Sequence, residues 1–436
     1  MRILSNELKD QLGKTAHIEG WLHKKRLMGG LTFINVRDRG GLTQVVIKDK
    51  DEVEKLRGLQ IGTVLGVDGT VVAEPRAPGG AELHDATLEV LVPVTDEPPI
   101  EIDKPLSHKP DNLDTLLDNR VVGLRNLQEQ TIFKVQAKVL ESARSYFGQN
   151  GFTEMNTPKL LAEATEGGAE VFKLDYFGKE ATLAQSAQFY KQIMVGVFER
   201  VFETNPTYRA EPSATTRHMT EYITIDAEMG FITFDDLLTF TSGLVNHIAT
   251  EVWRSYADEL KKWNVQQPIL TENFPRLTML EVHQLYSKAN NVDTTPEDDL
   301  RPDEERWICD YAKKELGSEA VFVTDWPASS MKFYHRKNAK NPEMADRSDL
   351  LFRGVEIATV PMRENRYDVL VEQLKTIAHG DPNHPGFKHY LNAFKYGLPP
   401  HGGFGMGLER LTEKLVGLNN VKEATLFPRD INRLAP

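Results

Sequence analysis

Residues Val201–Met229 read VFETNPTYRAEPSATTRHMTEYITIDAEM. Two extended stretches flank a polar loop. The first ends at Tyr208, and the second begins near Glu221. From there the alternation is strict: Ile223, Ile225, Ala227 and Met229 share one side, and Tyr222, Thr224, Asp226 and Glu228 share the other. That is the period-two signature of a strand buried on one face. Paired, the stretches predict an antiparallel hairpin whose polar face carries Arg209, Glu211, Arg217, His218, Tyr222 and Glu228. Guanidinium forks donate two parallel hydrogen bonds to phosphate or carboxylate oxygens, and the ring of Tyr222 is suited to stacking on a base. The plain alternative is a solvated hairpin whose charges pair with one another. The joint occurrence of Arg-x-Glu, Arg-His and an acidic return strand weighs against it.

This combination resembles motif 2 of the class II aminoacyl-tRNA synthetases, and TTRHMTE is close to their aspartyl and asparaginyl members. Downstream, YGLPPHGGFGMGLERLTEKLVG at 396–417 resembles motif 3: a Gly-rich strand lets a nucleotide approach the backbone, and a helix begins near Leu408. Upstream, Leu127–Gly148 carries Ile132, Val135, Val139, Ala143 and Tyr146 at helical spacing. GFTEMNTPKL then reads as a strand ending at Pro158. Together they resemble motif 1, the dimer-interface element. Residues 231–263 predict a long amphipathic helix, and TPEDDLRPDEERW an exposed acidic turn leading into another. Neither GxxxxGK[ST] nor a strand–GxGxxG–helix unit occurs, so P-loop and Rossmann nucleotide sites are not indicated.

The chain has 436 residues, 27% of them charged and 40% hydrophobic, which leaves room for two or three soluble domains. Its one cysteine, Cys309, excludes an internal disulfide framework. No membrane span or signal core is evident, so the expected location is cytoplasmic. Net charge is −12, which argues against a general nucleic-acid binder. Residues 1–50, however, hold ten Lys or Arg against five acids, net +5. Short strands between 16 and 92 suit a Greek-key barrel of the OB type, a fold that binds single-stranded nucleic acid. Phe33 and Gln44 fall on neighbouring strands, one to stack and one to read a base edge. From sequence alone a core role for Phe33 is about as well supported. The Pro- and Asp-dense segment 94–114 reads as a linker.

The whole chain is thus identified as a member of the archaeal-type aspartyl-tRNA synthetases, class IIb. The expected fold is α+β: an OB barrel over 1–100, a hinge over 101–125, and an antiparallel-sheet catalytic domain over 126–436. The resemblance implies activation of L-aspartate with ATP and Mg2+, and transfer to tRNA(Asp). Asparaginyl-tRNA synthetase and a non-catalytic RNA-binding paralogue are the alternatives. By resemblance, Arg209 and Arg410 are catalytic through charge and position. ATP would meet Arg209, Glu211, Arg217, His218, Tyr222, Glu356, Gly407 and Arg410, with Glu409 supporting Arg410. Aspartate would meet Glu166, Gln188, Lys191, Arg209, Thr359 and Arg363, and magnesium Glu356 and Thr359. Glu166-Gly167-Gly168 would form a flap. Regular alternation puts Glu356 and Thr359 on opposite faces, so the strand must bend between them. Val360-Pro361 stand where relatives carry two glycines, and Ala187 where they carry Pro. Lys332 receives no role. The anticodon would meet His23, Phe33, Gln44, Pro78 and Glu82. His23 and Pro78 extend the expected substrates to tRNA(Asn), which brings in a tRNA-dependent amidotransferase as a functional partner. The active form would be a homodimer, with no membrane association.

Overall fold

The computed structural model describes residues 1–28, 31–162, 171–212 and 215–435. Contacts divide the chain into two units, 1–129 and 130–436.

In the first unit, alternating apolar residues build β1 (Thr15–Met28), β2 (Leu31–Asp38), β3 (Gly41–Ile47), β4 (Val64–Ala73) and β5 (Ala81–Val92). They close into a barrel in the order β1-β2-β3-β5-β4. Closure leaves no unpaired sheet edge. Ile18, Leu22, Ile34, Val36, Val45, Ile47, Leu65 and Val67 fill the interior. The β1–β2 register skips between Leu22 and Lys24, making His23 the extra residue of a bulge. Helix α1 (Lys50–Arg57), not anticipated from sequence, starts where the Asp49 carboxylate accepts from the backbone N–H of Asp51 and Glu52. Segment 101–125 is not a bare linker: it contains α2 (Pro110–Asp118) and α3 (Arg120–Gly123), and its Ile102 and Leu117 are buried.

The second unit contains, in order, α4 (Leu127–Gln149), β6 (Thr153–Glu154), β7 (Leu160–Leu161), β8 (Lys173–Tyr176), β9 (Lys179–Leu183), α5 (Gln188–Phe198), β10 (Arg200–Tyr208), β11 (Glu221–Gly230) and α6 (Phe234–Lys262). There follow β12 (Arg276–Thr278), α7 (Met279–Asn290), α8 (Pro302–Glu315), β13 (Ala320–Pro327), β14 (Met344–Phe352), β15 (Val355–Pro361), α9 (Tyr367–Thr376), α10 (Pro385–Phe394), β16 (His401–Gly407) and α11 (Leu408–Val416). Among the described residues the main sheet has eight strands in the order β12-β13-β14-β15-β16-β11-β10-β6. It is antiparallel except at β6–β10 and β12–β13. α4 and α6 cover one face. Ile132, Val135 and Val139 of α4 and Leu244 and Ile248 of α6 pack with Ile225, Ala227 and Met229 of β11. A one-residue slip of β11 would put Thr224, Asp226 and Glu228 into this core instead, so the hydrophobic alternation fixes the register.

Two expectations need correction here. The strand expected to run to Pro158 is only Thr153–Glu154, at the sheet edge. Beyond Met155, whose N–H reaches the Phe202 carbonyl, the Thr157 N–H donates to the Glu203 side chain, which ends the ladder. The acidic stretch leading into α8 is not wholly exposed: Thr294 ahead of the helix and Glu304 in its first turn are buried, Glu304 accepting from Thr294 Oγ1 at 2.7 Å and paired with His283 Nδ1 at 2.8 Å.

Candidate functional site

The face of the sheet opposite α4 and α6 carries a cavity of about 600 Å³. Its floor comes from β11, β15 and β16, and its walls from α5, the 209–219 loop and α11. β16 is glycine-rich for a packing reason. A Cβ at Gly403 would collide with the Ala227 carbonyl and the Glu228 carboxylate, and one at Gly405 would lie 3.3 Å from Asp226 Oδ1. The bare strand leaves space for the acids of β11.

At one end lies a buried charge lattice. Lys191 on α5 is only 1% exposed, so it is not a surface lysine at a helix start. Its Nζ donates to Asp226 Oδ1 at 2.7 Å and to the Phe404 carbonyl at 2.9 Å. Asp226 also accepts from Asn205 and Thr224. Burial alone would raise the Asp226 carboxyl, but the Lys191 charge and these hydrogen bonds outweigh it and hold it below its ordinary value. Arg363 donates through Nε and Nη2 to the two oxygens of Glu228, at 2.9 and 3.2 Å. Glu228 lies 3.8 Å from Lys191. Gln188 Nε2 donates to Gln192 Oε1, which also accepts from Tyr390. The buried His335 ring lines the same cavity, held well below its ordinary value by burial and then by the charges of Arg363 and Arg347.

The other end is richer in exposed cations. Arg209 lies 5.9 Å from the Tyr222 ring centroid and 3.7 Å from Glu211. His218 is 3.6 Å from Glu211 and bonds Thr215 at 2.7 Å. Burial lowers its imidazole, aided by Arg410, Arg217 and Arg209 and opposed by Glu211. Arg217 Nη1 donates to Glu305 at 2.7 Å and Nη2 to the Gly354 carbonyl at 3.1 Å. Arg410 donates to the Glu356 carbonyl at 3.0 Å and lies 3.4 Å from its carboxylate. Thr359 Oγ1 donates to Glu356 Oε1 at 2.7 Å. The contact is allowed by a bulge: Leu350 pairs with Ala358 but Leu351 with Glu356, so Ile357 is the extra residue and both polar side chains reach one face. Glu409 does not support Arg410. Both its oxygens accept from the Ile223 N–H at 3.1 Å, and burial pushes it up to about 7.

The barrel has its own groove, lined by Lys24, Arg26, Met28, Phe33, Asn35 and Gln44. Phe33 stands outside the barrel core, on the outer face with Arg26 as its cross-strand partner. Gln44 donates to Glu82 Oε2 at 2.6 Å, and Glu82 Oε1 pairs with His84 at 2.7 Å. His23 is placed elsewhere: it is 7% exposed, absent from the groove, and lowered by burial first and then by Arg37. Pro78 opens a 3-10 turn before β5, also outside the groove.

A family model described as tRNA synthetases class II (D, K and N) matches residues 112–431, and an OB-fold nucleic-acid-binding model matches 16–93. The chain belongs to the class II aminoacyl-tRNA synthetases. It is similar to the aspartate–tRNA(Asp/Asn) ligase of Thermus thermophilus, 41% identical over all of both chains. It is 38% identical to the aspartate–tRNA(Asp) ligase of Pyrococcus abyssi, over 99% of both. Among solved structures, the asparaginyl-tRNA synthetase of Pyrococcus horikoshii with asparaginyl-adenylate superposes with a TM-score of 0.90, at 31% identity over all of both chains. As a synthetase the protein is an aminoacyl-tRNA ligase, and its α+β architecture is that of this family.

One synthetase cavity therefore gathers Gln188, Lys191, Arg209, Glu211, Arg217, His218, Tyr222, Glu356, Thr359, Arg363, Gly407 and Arg410. Glu166 and the expected flap lie outside the described residues. Sequence reading missed Asp349, which faces Thr359 across β14–β15. Arg347 donates to Asp349 through two N–H groups at 2.7 and 3.3 Å. Burial pushes the Asp349 carboxyl up to about 7; Arg347 pulls it down and Glu356 pushes it further up. Its signal was an Asp seven residues ahead of Glu356 on the preceding strand. Lys332, given no role, also lines the cavity.

Proposed function

We propose that this synthetase activates L-aspartate with ATP and transfers it to tRNA(Asp), and to tRNA(Asn) as well. The observation that carries the amino-acid choice is the fully buried Lys191. Two of its three N–H groups go to Asp226 and the Phe404 carbonyl; the third is suited to the side-chain carboxylate of aspartate. A charge-assisted bond in a closed site favours aspartate over neutral asparagine. Arg363, steered by Glu228, would hold the same carboxylate, with Gln188 and Glu166 toward the ammonium and Thr359 beside the substrate.

In the first step the α-carboxylate of aspartate attacks the α-phosphorus of ATP, forming aspartyl-adenylate and releasing pyrophosphate. Arg209 would stabilise charge on the α-phosphate, reached from the strand end at Tyr208. Tyr222 and Arg410 would sandwich the adenine, with the Gly407 backbone beside it. Arg217 and His218 would hold the β- and γ-phosphates, whose charge would draw His218 toward its protonated form. Glu211 would meet the adenine or the incoming tRNA end. Asp349, Glu356 and Thr359 offer hard oxygen ligands, and the mutual repulsion of the two acids fits a divalent cation. Magnesium held there would screen triphosphate charge. In the second step the terminal ribose hydroxyl of the tRNA attacks the adenylate carbonyl, loses its proton and displaces AMP, leaving the aspartyl ester on the tRNA. No side-chain nucleophile is needed; positioning and charge stabilisation carry the reaction.

The groove with Phe33 and Gln44 supports anticodon binding; the buried Glu82 lies outside its lining and would act through its bond to Gln44. Dual tRNA use is supported by the name of the Thermus relative. His23, buried at the β1 bulge, would influence the groove only through the position of its neighbour Lys24, and Pro78 only through the turn before Glu82. We keep 1–100 as the anticodon module, 101–125 as the connecting segment and 126–436 as the catalytic module. A homodimer through α4 and β6, a functional link to an amidotransferase and a cytoplasmic location belong to the same reading. Among the described residues no helix is long and apolar enough to cross a membrane. Aspartate-dependent ATP–pyrophosphate exchange tests the activity: wild type should exchange and Arg209→Ala should not, and equal exchange in both would refute the role of Arg209.

A further inference from the structure

The 209–220 loop is tied to the rest of the second unit by a contact that the reading above does not use. Arg217 donates to Glu305 Oε2 at 2.7 Å and to the Gly354 carbonyl at 3.1 Å, with side chains 22% and 15% exposed for the ion pair. Glu305 belongs to α8, which is a rigid mount. Ile308, Cys309 and Ala312 of α8 pack into an apolar cluster with Val321 and Leu351. The neighbouring Glu304 is locked by Thr294 and His283, and also accepts from the Arg301 N–H at 3.0 Å. The backbone that carries Glu305 is therefore fixed, and its carboxylate is directed to Arg217.

Among its described residues the loop is held by local bonds, such as Arg217 N–H to Thr215 Oγ1 at 3.1 Å and Thr215 to His218 at 2.7 Å, and by backbone bonds at its ends. Described backbone bonds are Arg209 N–H to the Thr220 carbonyl, Thr220 N–H to the Arg429 carbonyl, and Val421 N–H to the Thr216 carbonyl. Arg217 lines the cavity near His218, Glu356 and Arg410. Guanidinium has five N–H donors. Two are directed to Glu305 and Gly354, so the plane is set before any phosphate arrives.

We propose that Glu305 is a positioning residue for the triphosphate: through Arg217 it presets the guanidinium that receives the β- and γ-phosphates. This rests on the ATP role given above to Arg217. The preset lowers the ordering cost of binding, so it should appear in ATP affinity and not in aspartate affinity.

The test is steady-state aspartate-dependent ATP–pyrophosphate exchange with the full-length protein, varying ATP and aspartate separately. The variants are Glu305→Ala, Glu305→Gln, Arg217→Ala and the Arg217→Ala/Glu305→Ala pair. Loss of a charged hydrogen bond predicts a rise in KM for ATP of about tenfold in Glu305→Ala, and a smaller rise in Glu305→Gln, which keeps an acceptor. KM for aspartate and kcat should stay within about twofold. On the Arg217→Ala background, Glu305→Ala should add nothing. An unchanged or lowered KM for ATP in Glu305→Ala would overturn the proposal. So would an equal rise in both KM values, or a full additional effect on the Arg217→Ala background. Should Glu305→Ala fold poorly, the isosteric Glu305→Gln decides by the same criteria. Absence of exchange in the wild type would instead overturn the aspartate-activation reading, and the role of Arg217 with it.

Discussion

Replacing Lys191 by Met removes a cation that is 1% exposed and leaves Asp226 and Glu228 beside it. Met fills a similar volume, so the change is mainly electrostatic. Breaking a buried pair from one side costs about 3–5 kcal/mol, because the remaining charge stays desolvated. At roughly 2 °C per kcal/mol for a unit of this size, the unfolding midpoint should fall by about 6–10 °C. The pH dependence follows from Asp226, now held below its ordinary value against the effect of burial, chiefly by Lys191. In the wild type its contribution is present at neutral pH and lost only in strong acid. Without Lys191 burial dominates and the carboxyl rises. The native state then binds the extra proton, and the deficit of the variant should shrink as pH falls from about 7.5 to 5. Thermal unfolding of wild type, Lys191→Met, Asp226→Asn and the double variant at both pH values checks this. The double variant should lose less than the sum of the single losses by about 1.5 kcal/mol or more, and additivity within about 0.5 kcal/mol would refute the pairing. Aspartate-dependent exchange should fall on the order of a thousandfold, since the substrate carboxylate would lose its cation and meet Asp226 uncompensated, Glu228 being still paired with Arg363.

Three further outcomes are expected. Phe33→Ala should raise KM for tRNA about 5- to 100-fold, as loss of one base stack does, with ATP–pyrophosphate exchange unchanged. Glu409, pushed up to about 7 by burial, gives stability that is full below the ordinary glutamate range and lost as pH rises through about 7. Glu409→Gln should therefore flatten the fall in unfolding free energy between about pH 5 and 8, read from urea titrations, by up to about 3 kcal/mol. Glu356→Gln should raise the magnesium concentration for half-maximal exchange at least about tenfold, which a magnesium titration of exchange reads directly.

Much of the architecture was legible because its signals are local. The β11 alternation and the α4 periodicity each declare a buried face, and the glycines of β16 mark close approach. The residues around the cavity could be named from sequence through family resemblance, since Lys191 alone reads as well as a surface lysine; only the fold shows it enclosed between α5 and β16. Other features depend on tertiary partners that no local pattern encodes. The Ile357 bulge reconciles Glu356 with Thr359. Asp349 becomes relevant only through its place opposite Thr359. Glu409 turns to the β11 backbone, and not to its neighbour Arg410, because the Ile223 N–H lies at the start of that strand and needs an acceptor. The burial of His23 follows from the extra residue in β1, which period-two counting cannot foresee.

The most direct test of the central claim is aspartate charging of purified tRNA(Asp) and tRNA(Asn) transcripts, with asparagine as the parallel substrate. Aspartate is expected on both transcripts, with no charging by asparagine. Asparagine on tRNA(Asn) would contradict it, because the enclosed Lys191 would then not be selecting a carboxylate.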